Sequence, residues 1–287
     1  MVNISFDFNL FNNYYFFYER LTVLLFSLIP TIGLILFVLF TDRKSKEPSK
    51  NIIICLLSGV LTIALAKYFE GLVMPYFSNN IVLTYVWAAI EEISKIVIFY
   101  LFIFDNKHYD DIYDGLVYMV LIALSFAGIE NIMYAFSEST FNSGVSLAIM
   151  RDFTTIPLHV ICGVVIGYFI SIGNFAKDRK NKYFNFILAI IIPSFIHGTF
   201  NCLMSLLGNF NFNYNNFFQV FAIGTLPLLG IMVALFFIAI KFSLKCVKLN
   251  DDFINCNEYE EKYKYLMNQE EYEEKNRKKR EKGETND

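Results

Sequence analysis

The chain has 287 residues, of which 55% are hydrophobic, 18% aromatic and 18% charged, with a formal net charge of −3. An ordinary soluble domain is about 45–50% apolar and about 25% charged. The apolar excess, the odd count of five cysteines and the small net charge exclude a disulfide scaffold, a disordered chain and a nucleic-acid binder with a basic face.

The apolar residues gather into runs of about 20, enough to cross a ~30 Å hydrocarbon core as helix. Seven spans are read in chain order: 20–41, 52–73, 81–104, 113–136, 148–173, 183–207 and 217–241. The expected fold is therefore an all-α, polytopic membrane protein with about seven transmembrane helices. The first span, charge-free from Leu21 to Phe40, reads as an uncleaved signal anchor, because residues 1–18 contain no Lys or Arg. Lys67 and Glu70 are assigned to the interfacial end of the second. Asp110, Asp111 and Asp114, with Tyr113, are expected to cap the start of the fourth, where acids suit a helix N-terminus. The fifth begins ambiguously. Arg151 and Asp152 read there as an interfacial pair, and Pro157 fits either a first turn or a kink. Pro193 in the sixth frees a carbonyl that a neighbour must satisfy, and the seventh, with Pro227, reads as packing. The cysteines match no zinc spacing and read as small apolar filler.

Lys and Arg in the six connecting loops number 4, 0, 1, 0, 4 and 0. By the positive-inside rule this alternation puts the N-terminus out and the C-terminus in. Residues 1–248 are expected to form one multi-span unit, and 249–287 a charged, solvated cytoplasmic tail.

The ionisable residues within spans carry the functional signal, since each costs about 2.5–3.5 kcal/mol at a span centre. They are Glu91, Glu92 and Lys95 in the third span, Glu130 in the fourth and His159 in the fifth; His197 and Asn201 in the sixth complete the set. Lys95 stands i+4 from Glu91 and i+3 from Glu92, so it can reach either carboxylate. Two adjacent carboxyls with one cation separate their proton affinities, as acid–base chemistry requires. His197 and Asn201 are again i,i+4. With the expected topology, the helical rise puts Glu91, Glu130, His159, His197 and Asn201 roughly 9–17 Å below the outer surface. Four helices of alternating direction thus bring their polar groups to one layer, which points to a single shared site.

Those same residues form motifs. Glu91-Glu92-Ile93-Ser94-Lys95 is an EExxK motif, and Phe126 to Glu130, followed by Asn131, is an FxxxE motif. His159 with Gly163 and His197 with Asn201 add HxxxG and HxxxN. In order and spacing they resemble the PrsW family of bacterial intramembrane proteases, distant relatives of the type II CAAX prenyl proteases. Asp111 to Tyr118 also resembles the segment that leads into the family's second motif. The resemblance covers about residues 81–207.

It implies a multi-pass protein of the bacterial plasma membrane that cuts a single-pass membrane protein on the extracytoplasmic side. The implied partner is an anti-sigma factor, whose first cut opens a stress-response cascade; no nucleic acid is implied. Carried over from the related prenyl proteases, Glu91 (or Glu92) is the general base that activates water, and Lys95 holds the carboxylate pair. His197 and Asn201 then donate to the oxyanion, and His159 shares the water or protonates the leaving amine. The relatives' second motif ends in His where this chain has Glu130, and an acid in place of Asn201 would suit proton transfer better than oxyanion donation. Metal-free glutamate chemistry is favoured. Zn²⁺ held by Glu91, Glu130, His159 and His197 is the alternative, although the helical HExxH spacing is absent.

Three other readings compete. A CAAX-type or bacteriocin-processing membrane protease would share the motifs. A proton-coupled carrier would also bury Glu, Lys and His, but no internal repeat is found. A sensor would signal through the inner tail.

Overall fold

The computed structural model describes residues 14–41, 47–77, 80–175, 179–209, 230, 233–251, 274 and 277. Seven helices follow in chain order: α1 (Tyr14–Thr41), α2 (Ser49–Val73), α3 (Asn80–Phe102), α4 (Ile112–Ser137), α5 (Phe141–Phe153), α6 (Thr155–Asn174) and α7 (Arg179–Asn209). A 3-10 turn, Met74–Tyr76, closes α2, and residues 233–251 are again helical. Of the expected seventh span, 217–229 lie outside the described residues, as do residues 1–13 and most of the tail.

Among the described residues, five segments are long and apolar enough to span a membrane: Phe17–Phe40, Ser49–Tyr76, Ile112–Ser137, Phe141–Asn174 and Lys180–Leu206. The protein is a multi-pass helical membrane protein. α3 has the length, at 23 residues, but carries Glu91, Glu92 and Lys95 among its apolar residues.

The expected fifth span, 148–173, is two helices. The helical stretch begins at Phe141, where Thr140 and Ser143 form a capping box, and it breaks at Thr154 (φ −122°, ψ −67°). Pro157 explains the break. An unbroken helix would set its ring against the Phe153 carbonyl and leave that oxygen without a donor. Ending α5 at Phe153 moves Pro157 into the first turn of α6, where the missing N–H costs nothing.

α4 is the axis of the bundle. Of its apolar stretch 78% is buried, against 17% for α1 and 28% for α7. It packs against α6, α2, α1 and α5, while α3 is held chiefly by α7 and α2. The contacts α3–α7, α7–α6, α6–α4, α4–α2 and α2–α3 close a ring of five helices. α6 meets α4 backbone to backbone: a Cβ on Gly163 would stand 3.2 Å from Val120 Cα, and one on Gly167 would stand 2.6 Å from Leu116 Cα. This small-xxx-small spacing lets two membrane helices approach closely, so the glycine of the HxxxG motif serves packing. Around the ring, Leu25, Ile29, Leu36, Phe37, Leu57, Leu101, Ile191 and Phe195 are exposed, as a lipid-facing surface requires.

The start of α4 is capped as expected. Asp111 Oδ1 accepts from the N–H groups of Tyr113 (2.8 Å) and Asp114 (2.9 Å), and Asp114 Oδ2 accepts from Asp111 N–H (2.9 Å). Asn250, in the stretch assigned to the tail, is buried against this cap. Its Oδ1 accepts from Ile112 N–H at 2.8 Å, and its Nδ2 donates to Asp111 Oδ2 at 3.1 Å. Glu47 accepts from Tyr118 Oη close by. Burial raises the Glu47 carboxyl above its ordinary pKa, partly offset by that hydrogen bond.

Candidate active site

Each helix of the ring sends a charged or imidazole side chain to its centre. α3 supplies Glu91, Glu92 and Lys95, α4 Glu130, α6 His159, α7 His197 and α2 Lys67; all but Lys67 are buried. The geometry is a chain of contacts. His197 Nδ1 and Lys95 Nζ both lie 2.7 Å from Glu92 Oε1. Lys95 Nζ is 3.1 Å from His159 Nδ1, and His159 Nε2 is 3.1 Å from Glu130 Oε2. The same Glu130 oxygen accepts from the Arg151 guanidinium at 2.8 Å.

Local structure accounts for these positions. Glu92 and Lys95, i,i+3 on α3, form their pair within one turn. The Lys95 ammonium also rests 4.5 Å from the centre of the Phe126 ring, one turn before Glu130 on α4. His159 stands edge-on to both Phe126 and His197, with ring centres 5.1 and 4.9 Å apart. The aromatic of the FxxxE motif therefore orients a cation and an imidazole.

An ammonium only donates, so Lys95 fixes His159 Nδ1 as the acceptor and leaves Nε2–H to donate to Glu130. Charge is matched glutamate by glutamate. Glu92 has Lys95 at 2.7 Å and Glu130 has Arg151 at 2.8 Å, whereas the nearest Lys or Arg to Glu91 among the described residues is Lys67 at 3.9 Å. Lys67 is itself held by Glu70 at 2.8 Å. Glu91 is thus the least restrained of the three. Its Oε2 is buried without a hydrogen-bond partner, 3.7 Å from His197 Nε2.

Of the seven residues singled out from the sequence, six come together. Asn201, one turn beyond His197, is half-buried and makes no side-chain hydrogen bond to a described residue. Two residues were assigned elsewhere. Arg151 does not pair with Asp152 at the interface but reaches Glu130, while Asp152 accepts from Asn131 Nδ2 at 3.0 Å. A charge at the edge of an apolar run can turn outward or inward, and here the break at Thr154 turns α5 inward. Lys67 could have been found, since six residues from the end of the second span is roughly 9 Å of depth, the layer computed for Glu130.

Charged and imidazole groups gathered at the centre of a membrane bundle, with one oxygen each of Glu91 and Glu92 unspent, define a polytopic protein equipped for acid–base or metal-assisted hydrolysis. Residues 32–239 match the model of the PrsW family intramembrane metalloprotease. The chain belongs to this family of intramembrane proteases. It is 30% identical over 191 residues to the protease PrsW of Clostridioides difficile, covering 64% of this chain and 80% of that one. Identity is 28% to the protease PrsW of Geobacillus kaustophilus, over 63% of this chain and 80% of that one. To the protease PrsW of Bacillus subtilis it is 23%, over 64% and 83%. No solved structure matches.

The family description names a metal, and the donor set fits one. Glu91, His159 and His197 each offer a ligand atom, all within 4.8 Å of one another and buried. One carboxylate with two imidazoles is a common zinc set that keeps a position open. Glu91 Oε2 is free to ligate, and Glu92 on His197 Nδ1 leaves Nε2 for a metal, a carboxylate–histidine arrangement typical of metal sites. Both ring nitrogens of His159 already have partners, so His159 would exchange one of them.

Proposed function

We propose that this protease hydrolyses a peptide bond of a single-pass membrane protein near the extracytoplasmic side, as the first cut in an anti-sigma factor. The observation that carries the reading is the free Glu91 Oε2 beside His197 Nε2, inside a cluster whose other carboxylates are each paired at 2.8 Å or less. In this reading Glu91 is the base. It takes a proton from a water that attacks the scissile carbonyl. Glu92 and Lys95 hold His197. As the imidazolium, with Nδ1–H on Glu92, His197 donates Nε2–H to the oxyanion, where one donor is worth about 3–4 kcal/mol. Asn201, one turn further along α7, is the second donor of this reading. His159, with Nε2–H directed to Glu130, relays a proton toward the leaving amine. The outer-face assignment rests on the alternation of basic loops. The charged stretch beyond residue 251 would then lie in the cytoplasm.

A second reading is favoured by the proximity of Glu91, His159 and His197. These three would hold a metal ion, which when bound supplies a Lewis acid and an activated water. Glu92 would then orient His197, and Glu130 would orient His159.

The test is co-expression with single-pass anti-sigma factors, followed by immunoblot, using wild type, Glu91→Ala and His197→Ala. A shortened, membrane-associated product seen only with wild type is expected, and its new terminus locates the cut. Intact substrates beside folded, inserted enzyme would reject the anti-sigma role. Activity of purified protein that a chelator abolishes and Zn²⁺ restores selects the metal reading. Cysteines placed in 42–50 should resist an impermeant reagent applied from outside, and those in 137–143 should react.

A further inference from the structure

α5 has 13 residues, roughly 20 Å of helix, too short to cross a ~30 Å core. Yet two consecutive residues near its end grip two consecutive residues of α4. Arg151 binds Glu130 at 2.8 Å and Asp152 binds Asn131 at 3.0 Å. The guanidinium is buried and stacks 4.2 Å from the centre of the Tyr134 ring, one turn beyond Glu130. Its contact with the site is indirect: Glu130 Oε2, the oxygen it holds, also meets His159 Nε2.

In an unbroken helix residues 151 and 159 would stand about 12 Å apart along one axis. The break at Thr154 lets both reach a single oxygen. A carboxylate with one buried partner can rotate; one with a guanidinium on the same oxygen and a stacked ring beneath that guanidinium is held.

We propose that Arg151 is a positioning residue for the proteolytic reaction: it fixes Glu130 so that Glu130, on Nε2–H opposite Lys95 on Nδ1, holds the tautomer and orientation of His159, and Asp152 pins α5 to α4 beside it. The proposal rests on the proteolytic reading, but its geometric part can be tested alone. The chain contains three histidines. In protein carrying ¹⁵N-histidine in nanodiscs, His159 is assigned by its loss in His159→Gln and should show the Nε2–H form in wild type.

Arg151→Met should change that signal, and Arg151→Lys should restore it in part. With a cleaved anti-sigma factor as substrate, Arg151→Met should lower kcat by about 100-fold, the scale of an ångström-sized misplacement, and leave KM within about twofold of wild type. Arg151→Met strands a buried glutamate and can cost the fold, so the charge-balanced Arg151→Met/Glu130→Gln variant is the second arm. It should fold and have a kcat close to that of either single variant, because the two residues act as one unit. An unchanged His159 signal and kcat in Arg151→Met, or a double variant slower by the product of the single losses, would overturn the proposal. If wild type cuts no substrate, the proteolytic reading fails by itself, and the nitrogen signals still decide whether Arg151 governs the Glu130–His159 contact.

Discussion

α4 carries a polar cluster near each end, and the two differ in what is left unspent. Around its start, Asp111, Asp114, Glu47, Asn51, Asn106, Tyr118 and Asn250 bond to one another or to nearby backbone, and no buried side-chain atom among them lacks a partner. Around Glu130, four atoms do: Glu91 Oε2, Glu92 Oε2, Asn131 Oδ1 and Arg151 Nε. Both clusters bring three potential metal ligands together. Proximity of acids therefore does not separate a cap from a site, whereas saturation does. A buried unsatisfied group costs about 1–3 kcal/mol, and a fold retains several in one place where something else is to be bound.

The sharpest way to break this comparison is to remove partners from the unsaturated cluster. Glu92→Ala strands Lys95 and His197, and stability should fall by about 3–5 kcal/mol, seen as loss of the folded protein in a thermal melt in detergent. Glu91→Gln should behave oppositely. Its carboxylate restrains little, so the melting temperature should hold while cleavage falls about 100-fold or more, the scale of a lost general base. If both variants unfold alike, the difference between restrained and free carboxylates has no functional meaning.

At the saturated cluster the same changes should touch stability alone. Asp111→Ala removes an N-cap and should cost about 1 kcal/mol, at most about 2. Asn250→Ala should cost about 0.5–1.5 kcal/mol through its lost hydrogen bonds. Both should cleave at the wild-type rate per folded molecule. A folded Asp111→Ala protein without activity would give chemistry to the cap and overturn the distinction.

Much of this was legible from residue order. Apolar run length located the helices, because a lipid-facing helix has to be apolar around most of its surface. The common depth expected for Glu91, Glu130, His159 and His197 points to one candidate site, and the fold brings these four side chains together. Depth is blind to azimuth, however. It placed Asn201 with His197, but one turn of α7 is about 5.4 Å, enough to take Asn201 beyond the linked groups. Hydropathy is blind to breaks between two apolar stretches, so it merges α5 with α6 and puts Arg151 at the interface. Pro157 was the available clue: a ring four residues after Phe153 disfavours the continuous helix, although Pro30 and Pro193 sit inside unbroken helices.

α3 has a consequence for how the protein is made. It is the helix on which membrane insertion depends most on partners, since Glu91, Glu92 and Lys95 oppose its transfer into lipid by several kcal/mol. Lys95 emerges from the ribosome with Glu92, but His197 follows Glu92 by 105 residues. At cellular synthesis rates that is a delay of roughly 5–20 s. Until α7 arrives, α3 has α2 with Lys67, then Phe126 of α4 and His159 of α6 beside Lys95, but no completed polar centre. The nascent chain must therefore shelter α3 at the insertion machinery or against α2, and the site closes only when the last helix of the ring docks.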